Sequence, residues 1–307
     1  MLQLQKRTFF FYAIIILSFV NCSNSDEIDS TTFNQFSKGS GFFLFNYTAP
    51  NFTKTLRVYY HIPENSTSTT PILMVFHGVN RNAKEYRNAF VNAANAKKFI
   101  VITPEFSEQN FPTGDGYALG NVYIDGDNPS SNSLNPEAQW TFSIIEPLFN
   151  FIKNQLQNSN TDYSIFGHSA GAQFAHRFLM FKPINRANQI VISAAGWYTF
   201  PSKLIPFPYG LQNSILENSS AENFFAKNIF VQVGSLDNKT NDANLRHNFY
   251  ADAQGLHRLE RTQNFVDFCK QEAETAKFEI NWTFHIHQNA DHNYILAAQN
   301  AANLLFN

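Results

Sequence analysis

The chain has 307 residues, of which 44% are hydrophobic and 15% are charged. This length and apolar content are sufficient for one large buried core, so we predict a single folded domain. The formal net charge is −2 and no basic cluster stands out, which excludes nucleic acid as an expected partner. The two cysteines, Cys22 and Cys269, are too few for a disulfide framework, and Cys269 lies in an apolar helical pattern that predicts a buried thiol.

The N-terminus predicts a signal peptide over residues 1–21. Two basic residues precede an apolar run from Phe9 to Val20, which is too short to cross a hydrocarbon core of about 30 Å. Cys22 resembles the lipidated cysteine of a bacterial lipobox, so two alternatives stay open, a lipid-anchored or a secreted protein. Residues 22–40 are polar and predict a flexible leader. The folded domain is predicted over residues 41–307.

The domain opens with a predicted antiparallel strand pair, Phe42 to Tyr47 and Leu56 to His61, with Pro63 and the Ser/Thr-rich residues after it as the turn. Apolar runs then alternate with helical patterns to the end of the chain. The predicted strands cover 72–76, 99–103, the residues before 167, 189–195, 228–233 and 278–287, and the predicted helices cover 82–97, 139–156, 170–179, 256–275 and the residues after 293. Such alternation predicts an α/β fold with a doubly wound, mostly parallel sheet flanked by helices.

Two long segments without periodicity interrupt this alternation. Residues 105–136 are rich in Gly, Asn, Asp and Pro, and residues 197–223 carry prolines and aromatic side chains. Loops at the carboxyl ends of parallel strands are the usual ligand-binding sites of such sheets, so both segments are candidate pocket walls. Trp197, Tyr198 and Tyr117 are the candidate substrate-binding residues within them.

The strongest motif is Gly167-His168-Ser169-Ala170-Gly171, which lies between a short apolar strand and a helical pattern. A serine on a sharp strand-to-helix turn projects its hydroxyl from the backbone, and flanking glycines let the turn close. This pattern is typical of a nucleophile elbow. Ser169 is therefore the predicted nucleophile.

A serine needs a base and a group that orients the base, and the chain supplies both downstream. Asp237 follows the predicted strand that ends near residue 233, and His292 precedes the last predicted helix. The order of Ser169, Asp237 and His292 is the serine, acid, histidine order of α/β-hydrolases. We predict that His292 moves the proton of Ser169 and that Asp237 orients the imidazole.

The oxyanion of an acyl-transfer intermediate needs two amide donors. The first predicted donor is Ala170, directly after the nucleophile. The second is expected from the turn that follows residues 77 and 78, where we choose Val79 over Asn80. His77 and His168 belong to the two turns themselves, where packing and turn hydrogen bonds are their expected roles.

Other assignments compete with this triad. Asp242 lies in the same loop as Asp237 and is the alternative acid. Asp291, beside His292, is expected to support the turn. His285 and His287 have strand spacing and are expected to be structural. No His/Asp spacing typical of a metal site is present, so neither metal nor cofactor is predicted.

On these residues the chain resembles the α/β-hydrolases, and among them the secreted esterases of the poly(3-hydroxybutyrate) depolymerase and feruloyl esterase-like group. The matching motifs are residues 76–82, 167–171, 234–237 and 291–292, within a region spanning residues 71–300. The resemblance implies an α/β-hydrolase fold and serine-dependent hydrolysis. The turn after residue 78 lacks a run of glycines and no polymer-binding domain follows, so a soluble ester is favoured over a polymer.

The sequence thus predicts an exported, metal-free serine carboxylesterase acting on a small-molecule or oligomeric ester through an acyl-enzyme. Two alternatives remain open at this stage. One is a peptidase or amidase with the same triad, and the other is a surface-anchored binding protein that kept the fold without turnover.

Overall fold

The computed structural model of the protein describes residues 36–306. The predicted signal peptide, Cys22 and most of the predicted leader lie outside this range. Within it, no helix is long and apolar enough to cross a membrane.

The described residues form one eight-stranded sheet. Its strands in chain order are β1 (Gly39–Ala49), β2 (Phe52–Ile62), β3 (Ile72–Phe76), β4 (Ile100–Pro104), β5 (Tyr163–His168), β6 (Ala187–Ser193), β7 (Asn228–Gly234) and β8 (Trp282–His287). Their order across the sheet is β1-β2-β4-β3-β5-β6-β7-β8. β1 and β2 are antiparallel to their neighbours and the remaining pairs are parallel, which confirms the predicted α/β fold class with a mostly parallel sheet.

The helices cover both faces of the sheet. They are α1 (Ala83–Lys97), α2 (Thr113–Gly116), α3 (Ile145–Leu156), α4 (Ala170–Phe181), α5 (Glu222–Phe225), α6 (Phe249–Asp252), α7 (Arg258–Ala276) and α8 (Tyr294–Leu305). The single predicted helix over 139–156 is instead two short 3₁₀ turns, Glu137–Gln139 and Thr141–Ile144, followed by α3.

The opening hairpin differs from the prediction at its turn. β1 and β2 pair over their whole lengths, from Gly39 opposite Ile62 to Ala49 opposite Phe52. The turn therefore lies at residues 50–51, and the predicted turn after Pro63 is the connection to β3. Phe36 is 5% exposed within the core, so the last residues of the predicted leader belong to the folded domain.

Alternate side chains of the central strands pack on opposite faces, as the pleat requires. On β3, Leu73 and Val75 join the cluster formed with α1 and α8, whereas Met74 and Phe76 join the larger cluster formed with α3, α4 and α7. Cys269 of α7 is buried in that larger cluster, as predicted. The carboxyl ends of the parallel strands meet at one edge of the sheet, and the loops that follow them carry the candidate site.

Candidate active site

The elbow turn places α4 against the ends of β5 and β3, too close for a side chain at either of its two glycines. A Cβ at Gly167 would lie 2.2 Å from the carbonyl oxygen of Gly171, and a Cβ at Gly171 would lie 2.0 Å from that of Phe76. Ser169 itself has φ 57° and ψ −118°, a conformation that costs a non-glycine residue about 1–3 kcal/mol. Both glycines of the motif are therefore required by steric contact, and the strain falls on the serine.

The loops after β7 and β8 bring Asp237 and His292 together. Asp237 Oδ2 lies 2.7 Å from Nδ1 of His292, and the carboxylate is 4% exposed. A Cβ at Gly234 would lie 2.2 Å from the carbonyl oxygen of Ala290, so only glycine lets the two loops approach. The amide of Leu236 donates to that same carbonyl at 2.8 Å, which fixes one loop against the other.

Ser169 and His292 line one cavity, together with residues from the turn after β3, the loop after β7 and the first turn of α7. Within residues 36–306, neither the Ser169 hydroxyl nor Nε2 of His292 has a hydrogen-bond partner. Hydrogen bonds between catalytic groups are often long before substrate binds and shorten in the complex. Nδ1 of His292 is held by Asp237, so Nε2 is the nitrogen left to exchange a proton with the serine.

Of the two predicted oxyanion donors, Val79 lines this cavity and Ala170 directly follows the lining residue Ser169. The amide of Ala170 is among the first four of α4, which have no intrahelical acceptor. Val79 occupies the first central position of a turn closed by the amide of Arg81, which donates to the Gly78 carbonyl at 3.2 Å. A Cβ at Gly78 would lie 3.8 Å from Cβ of Ser169, so this turn runs close beside the nucleophile.

Arg258 is a site residue that the sequence analysis missed. It is 2% exposed and lies 3.5 Å from Oδ1 of Asp237 and 3.2 Å from Oδ2 of Asp242. A hydrogen bond from this guanidinium lowers the pKa of Asp242. In the structure, Asp242 therefore pairs with Arg258, and Asp237 is the carboxylate that contacts His292. A cation at the first residue of a helix opposes the helix dipole, and this unusual placement was the available sequence signal.

The two turn histidines are buried and neutral. Burial lowers the pKa of His77 to about 3, and its Nε2 accepts the amide of Phe106 at 3.0 Å. Burial, with the charges of His292 and Arg258, lowers the pKa of His168 well below its ordinary value. The described residues contain no group of three or more His, Cys, Asp or Glu side chains arranged to hold a metal ion.

The three predicted substrate-binding aromatics lie in the core instead of the cavity wall. Trp197 is 5% exposed, Tyr198 0% and Tyr117 1%. The hydroxyl of Tyr117 donates to the carbonyl of His77 at 2.7 Å, and that of Tyr198 lies 3.0 Å from the hydroxyl of Thr262. The hydroxyls of Tyr117 and Tyr198 thus have partners within the protein, which explains why these two amphipathic rings could be buried there.

The cavity walls also differ from the prediction. The residues that line it are Gly78, Val79, Asn80, Asn82, Tyr86, His168, Ser169, Asp242, Asn244, Arg258, His292 and Tyr294. The loop after β7 therefore supplies a wall, whereas the predicted segments 105–136 and 197–223 supply none of these residues. Asp291 is exposed beside the site, and His285 and His287 lie on the edge strand β8.

Comparison with solved structures identifies relatives of this arrangement. Poly(aspartic acid) hydrolase-1 from Sphingomonas sp. KT-1 is 33% identical with a TM-score of 0.81, and the match covers 88% of this chain and 99% of that one. LpqC, a poly(3-hydroxybutyrate) depolymerase from Bordetella parapertussis, is 24% identical with a TM-score of 0.80 over 88% of this chain and 91% of its own. An S-formylglutathione hydrolase from Agrobacterium tumefaciens is 15% identical with a TM-score of 0.56, over 88% of this chain and 95% of its own.

No protein-family model matches the sequence, and no curated protein does so. The second and third of these similarities show the fold alone, and the first extends over nearly the whole relative. The eight-stranded, mostly parallel sheet agrees with that fold, and the predicted resemblance is confirmed. The chain therefore belongs to the α/β-hydrolase superfamily and has its esterase-like fold.

Proposed function

We propose that the protein is a serine carboxylesterase that works through Ser169, His292 and Asp237. The observation that carries this proposal is the 2.7 Å contact between Asp237 and His292 at the wall of the cavity that also contains Ser169. The apolar N-terminal run supports an exported enzyme, with Cys22 as its lipid anchor if it is lipidated.

The proposed reaction proceeds in two balanced steps. Oγ of Ser169 attacks the ester carbonyl carbon while Nε2 of His292 takes the hydroxyl proton. The amides of Ala170 and Val79 donate to the oxyanion, which collapses as the alcohol leaves with the proton from His292. Water then attacks the acyl-enzyme by the same route, releasing the acid and restoring the serine. The buried carboxylate of Asp237 holds the imidazole tautomer and stabilises the imidazolium in both steps.

A Ser169→Ala variant tests the nucleophile. We expect it to lose turnover of p-nitrophenyl esters and labelling by a fluorophosphonate while keeping the unfolding temperature of the wild type. Ser164→Ala is the matched control, because Ser164 lies on β5, the strand that ends directly before Ser169, and is 9% exposed. If Ser169→Ala kept ester turnover, or if a folded wild-type chain resisted the fluorophosphonate, the proposal would be refuted.

Amide hydrolysis of an acidic polyamide is a second candidate, favoured by two observations. One relative at 33% identity is a poly(aspartic acid) hydrolase. In this chain, the guanidinium groups of Arg177 and Arg246 lie 4.1 and 5.0 Å from the ring centroid of Trp197. Asp127 pairs with Arg246 at 2.7 Å, whereas Nη2 of the buried Arg177 has no partner among the described residues. Arg177 is 0% exposed, so Arg246, whose side chain is 35% exposed, is the charge of this pair that a carboxylate-bearing chain would contact.

Turnover of poly(aspartic acid) and of p-nitrophenyl esters by the same preparation separates the two candidates. An Arg246→Met variant should weaken only the polyamide reaction if this charge binds substrate, with the exposed Arg57→Met as its control. Ester turnover without polyamide turnover in the wild type would exclude the second candidate.

A further inference from the structure

Four polar side chains at the carboxyl ends of β5, β6, β7 and β8 form a continuous hydrogen-bonded row, which we call the polar ladder: His168, Ser193, Gln232 and His287. Nδ1 of His168 lies 3.1 Å from Oγ of Ser193, and Nε2 of Gln232 donates to that oxygen at 3.1 Å. Nε2 of His287 lies 2.9 Å from Oε1 of Gln232. The first three side chains are at most 2% exposed, in a sheet whose interior is mostly apolar.

The hydrogen-bonding capacity of these groups limits where their protons can lie. The carbonyl of Ala297 can only accept, so the Gln232 atom 2.9 Å from it is the donor Nε2. Oε1 of Gln232 then accepts from His287, which carries its proton on Nε2. The Ser193 hydroxyl accepts from Gln232, so its own proton is available for Nδ1 of His168. With the serine as donor to Nδ1, His168 carries its proton on Nε2.

The ladder contacts the candidate catalytic residues at three points. The ring of His168 lies against the ring of His292, with 4.6 Å between their centroids. Gln232 holds α8, the helix that begins two residues after His292, through the carbonyl of Ala297. The carbonyl of Ser193 accepts the amide of Ser169 at 2.9 Å. One buried row therefore touches the proposed nucleophile, the proposed base and the helix that follows the base.

Buried polar groups destabilise a fold unless they are paired, so a row of them in a sheet requires a reason. Thr103 provides a contrast within the same sheet. It is 0% exposed near the end of β4, its Oγ1 has no partner among the described residues, and it is not part of the ladder. Burial of a hydroxyl is thus common to both positions, and the connection to His292 is specific to Ser193.

We propose that Ser193 and Gln232 are positioning residues that hold His168, as its Nε2–H tautomer, against the ring of His292. Acting through His168, they fix the base over the nucleophile. This inference rests on the proposed function, because the value of a fixed His292 lies in proton transfer with Ser169. Neutral His168 also adds no positive charge beside the imidazolium that forms during the reaction.

Three variants test the ladder: Ser193→Ala removes the hydroxyl, Ser193→Thr keeps it, and Thr103→Val removes an unconnected buried hydroxyl. We expect Ser193→Ala to lower kcat for a p-nitrophenyl ester about tenfold, with KM nearly unchanged, since a misplaced base slows chemistry more than binding. Ser193→Thr should restore kcat, and Thr103→Val should keep it. Wild-type kcat in Ser193→Ala, or an equal loss in Thr103→Val, would overturn the proposal.

A second measurement does not depend on turnover. Long-range proton–nitrogen spectra of the histidine rings should show His168 of the wild type as the Nε2–H tautomer, without titration in the pH range where exposed histidines titrate. In Ser193→Ala its signals should move toward the other tautomer. A wild-type His168 with its proton on Nδ1 contradicts the ladder even if Ser169→Ala is inactive. The expected tautomer alongside an active Ser169→Ala would instead refute the proposed function and leave the ladder's hydrogen bonds intact.

Discussion

The chain contains two sets of histidine, aspartate and arginine with the same contacts and different surroundings. In the inner set, His292, Asp237 and Arg258, Asp237 lies 2.7 Å from the imidazole and 3.5 Å from the guanidinium. In the outer set, His247, Asp252 and Arg261, the corresponding distances are 2.7 and 3.0 Å. Both arginines lie in the first turn of α7. The contacts alone therefore do not distinguish a catalytic set from a structural one.

Burial and partners make the distinction. Asp237 is 4% exposed and its histidine lines the cavity of Ser169, whereas the side chains of Asp252 and His247 are 34% and 41% exposed. Water screens the outer pair, and such exposed pairs contribute about 0–1 kcal/mol to stability. The low dielectric around the buried Asp237 strengthens its electrostatic contacts with His292 and Arg258.

Matched substitutions of the two aspartates should give the largest contrast. Asp237→Asn is expected to lower kcat for ester hydrolysis about 10⁴-fold, because the amide selects the wrong imidazole tautomer. Asp252→Asn should keep kcat within about twofold of the wild type, as expected for a partly exposed pair. Steady-state turnover of a p-nitrophenyl ester measures both, and similar losses in the two variants would contradict the assignment.

Removing the backbone N–H of Val79, which borders the same cavity as His292, should have the next largest effect on kcat. Val79→Pro deletes one proposed oxyanion donor while fitting the turn, since proline suits the first central position. We expect kcat to fall about 100-fold or more. Circular dichroism would verify the fold. If Asn80→Pro lowered kcat while Val79→Pro did not, the donor would be the amide of Asn80.

Substitutions of the arginines in the inner and outer sets extend the comparison between the two sets. Arg258→Met leaves Asp237 and Asp242 without their shared counter-charge, and Arg261→Met removes donors to the carbonyls of Gly196 and Gly255. Both variants should lose about 3 kcal/mol of unfolding free energy. Only Arg258→Met is expected to lower kcat as well, about tenfold, because it disturbs the orientation of Asp237. Urea unfolding together with turnover tests this, and an equal kcat in both variants would argue against a role for Arg258.

Acid should destabilise the fold through His77, the buried histidine directly after β3. The folded pKa of His77 is about 3, below its ordinary value of 6.5. Above pH 6.5 the residue is neutral in both states and contributes nothing. As the pH falls from 6.5 towards 3, only the unfolded chain binds this proton, so stability decreases.

A His77→Gln variant measures that contribution. Its unfolding free energy should depend on pH less steeply than the wild type's between pH 6 and 4, by about 1.4 kcal/mol per pH unit. Thr103→Val, a buried substitution that removes no titratable group, should leave the slope unchanged. Urea unfolding at several pH values gives the slopes, and a wild-type slope in His77→Gln would contradict a neutral buried His77.

Sequence patterns were sufficient for the parts of the molecule that depend on local chemistry. The glycines around Ser169, the apolar strands and the order of Ser169, Asp237 and His292 each follow from backbone sterics or periodicity. The structure places these three residues at one edge of the sheet, as the order predicts. Their catalytic roles remain a proposal.

Features that depend on distant contacts could not be predicted in the same way. Tryptophan is a residue type often found at ligand contacts. In the structure, however, the guanidinium of Arg177, from a helix on a different segment of the chain, covers the ring of Trp197 at 4.1 Å from its centroid. Arg258 becomes a partner of Asp237 only after the loop of β7 folds over α7, where the amide of Leu259 donates to the carbonyl of Asp237 at 3.0 Å. Gln232 lies within an apolar strand, and its polar side chain among apolar neighbours was the only sequence signal of the ladder there.

The most direct test of the account is to locate the acyl group during ester turnover. Rapid acid quenching of the wild type with a p-nitrophenyl ester, followed by peptide mass mapping, should find the acyl group on Ser169. A His292→Gln variant should acylate far more slowly. An acyl group on another residue, or equally fast acylation without His292, would contradict the proposed nucleophile and base.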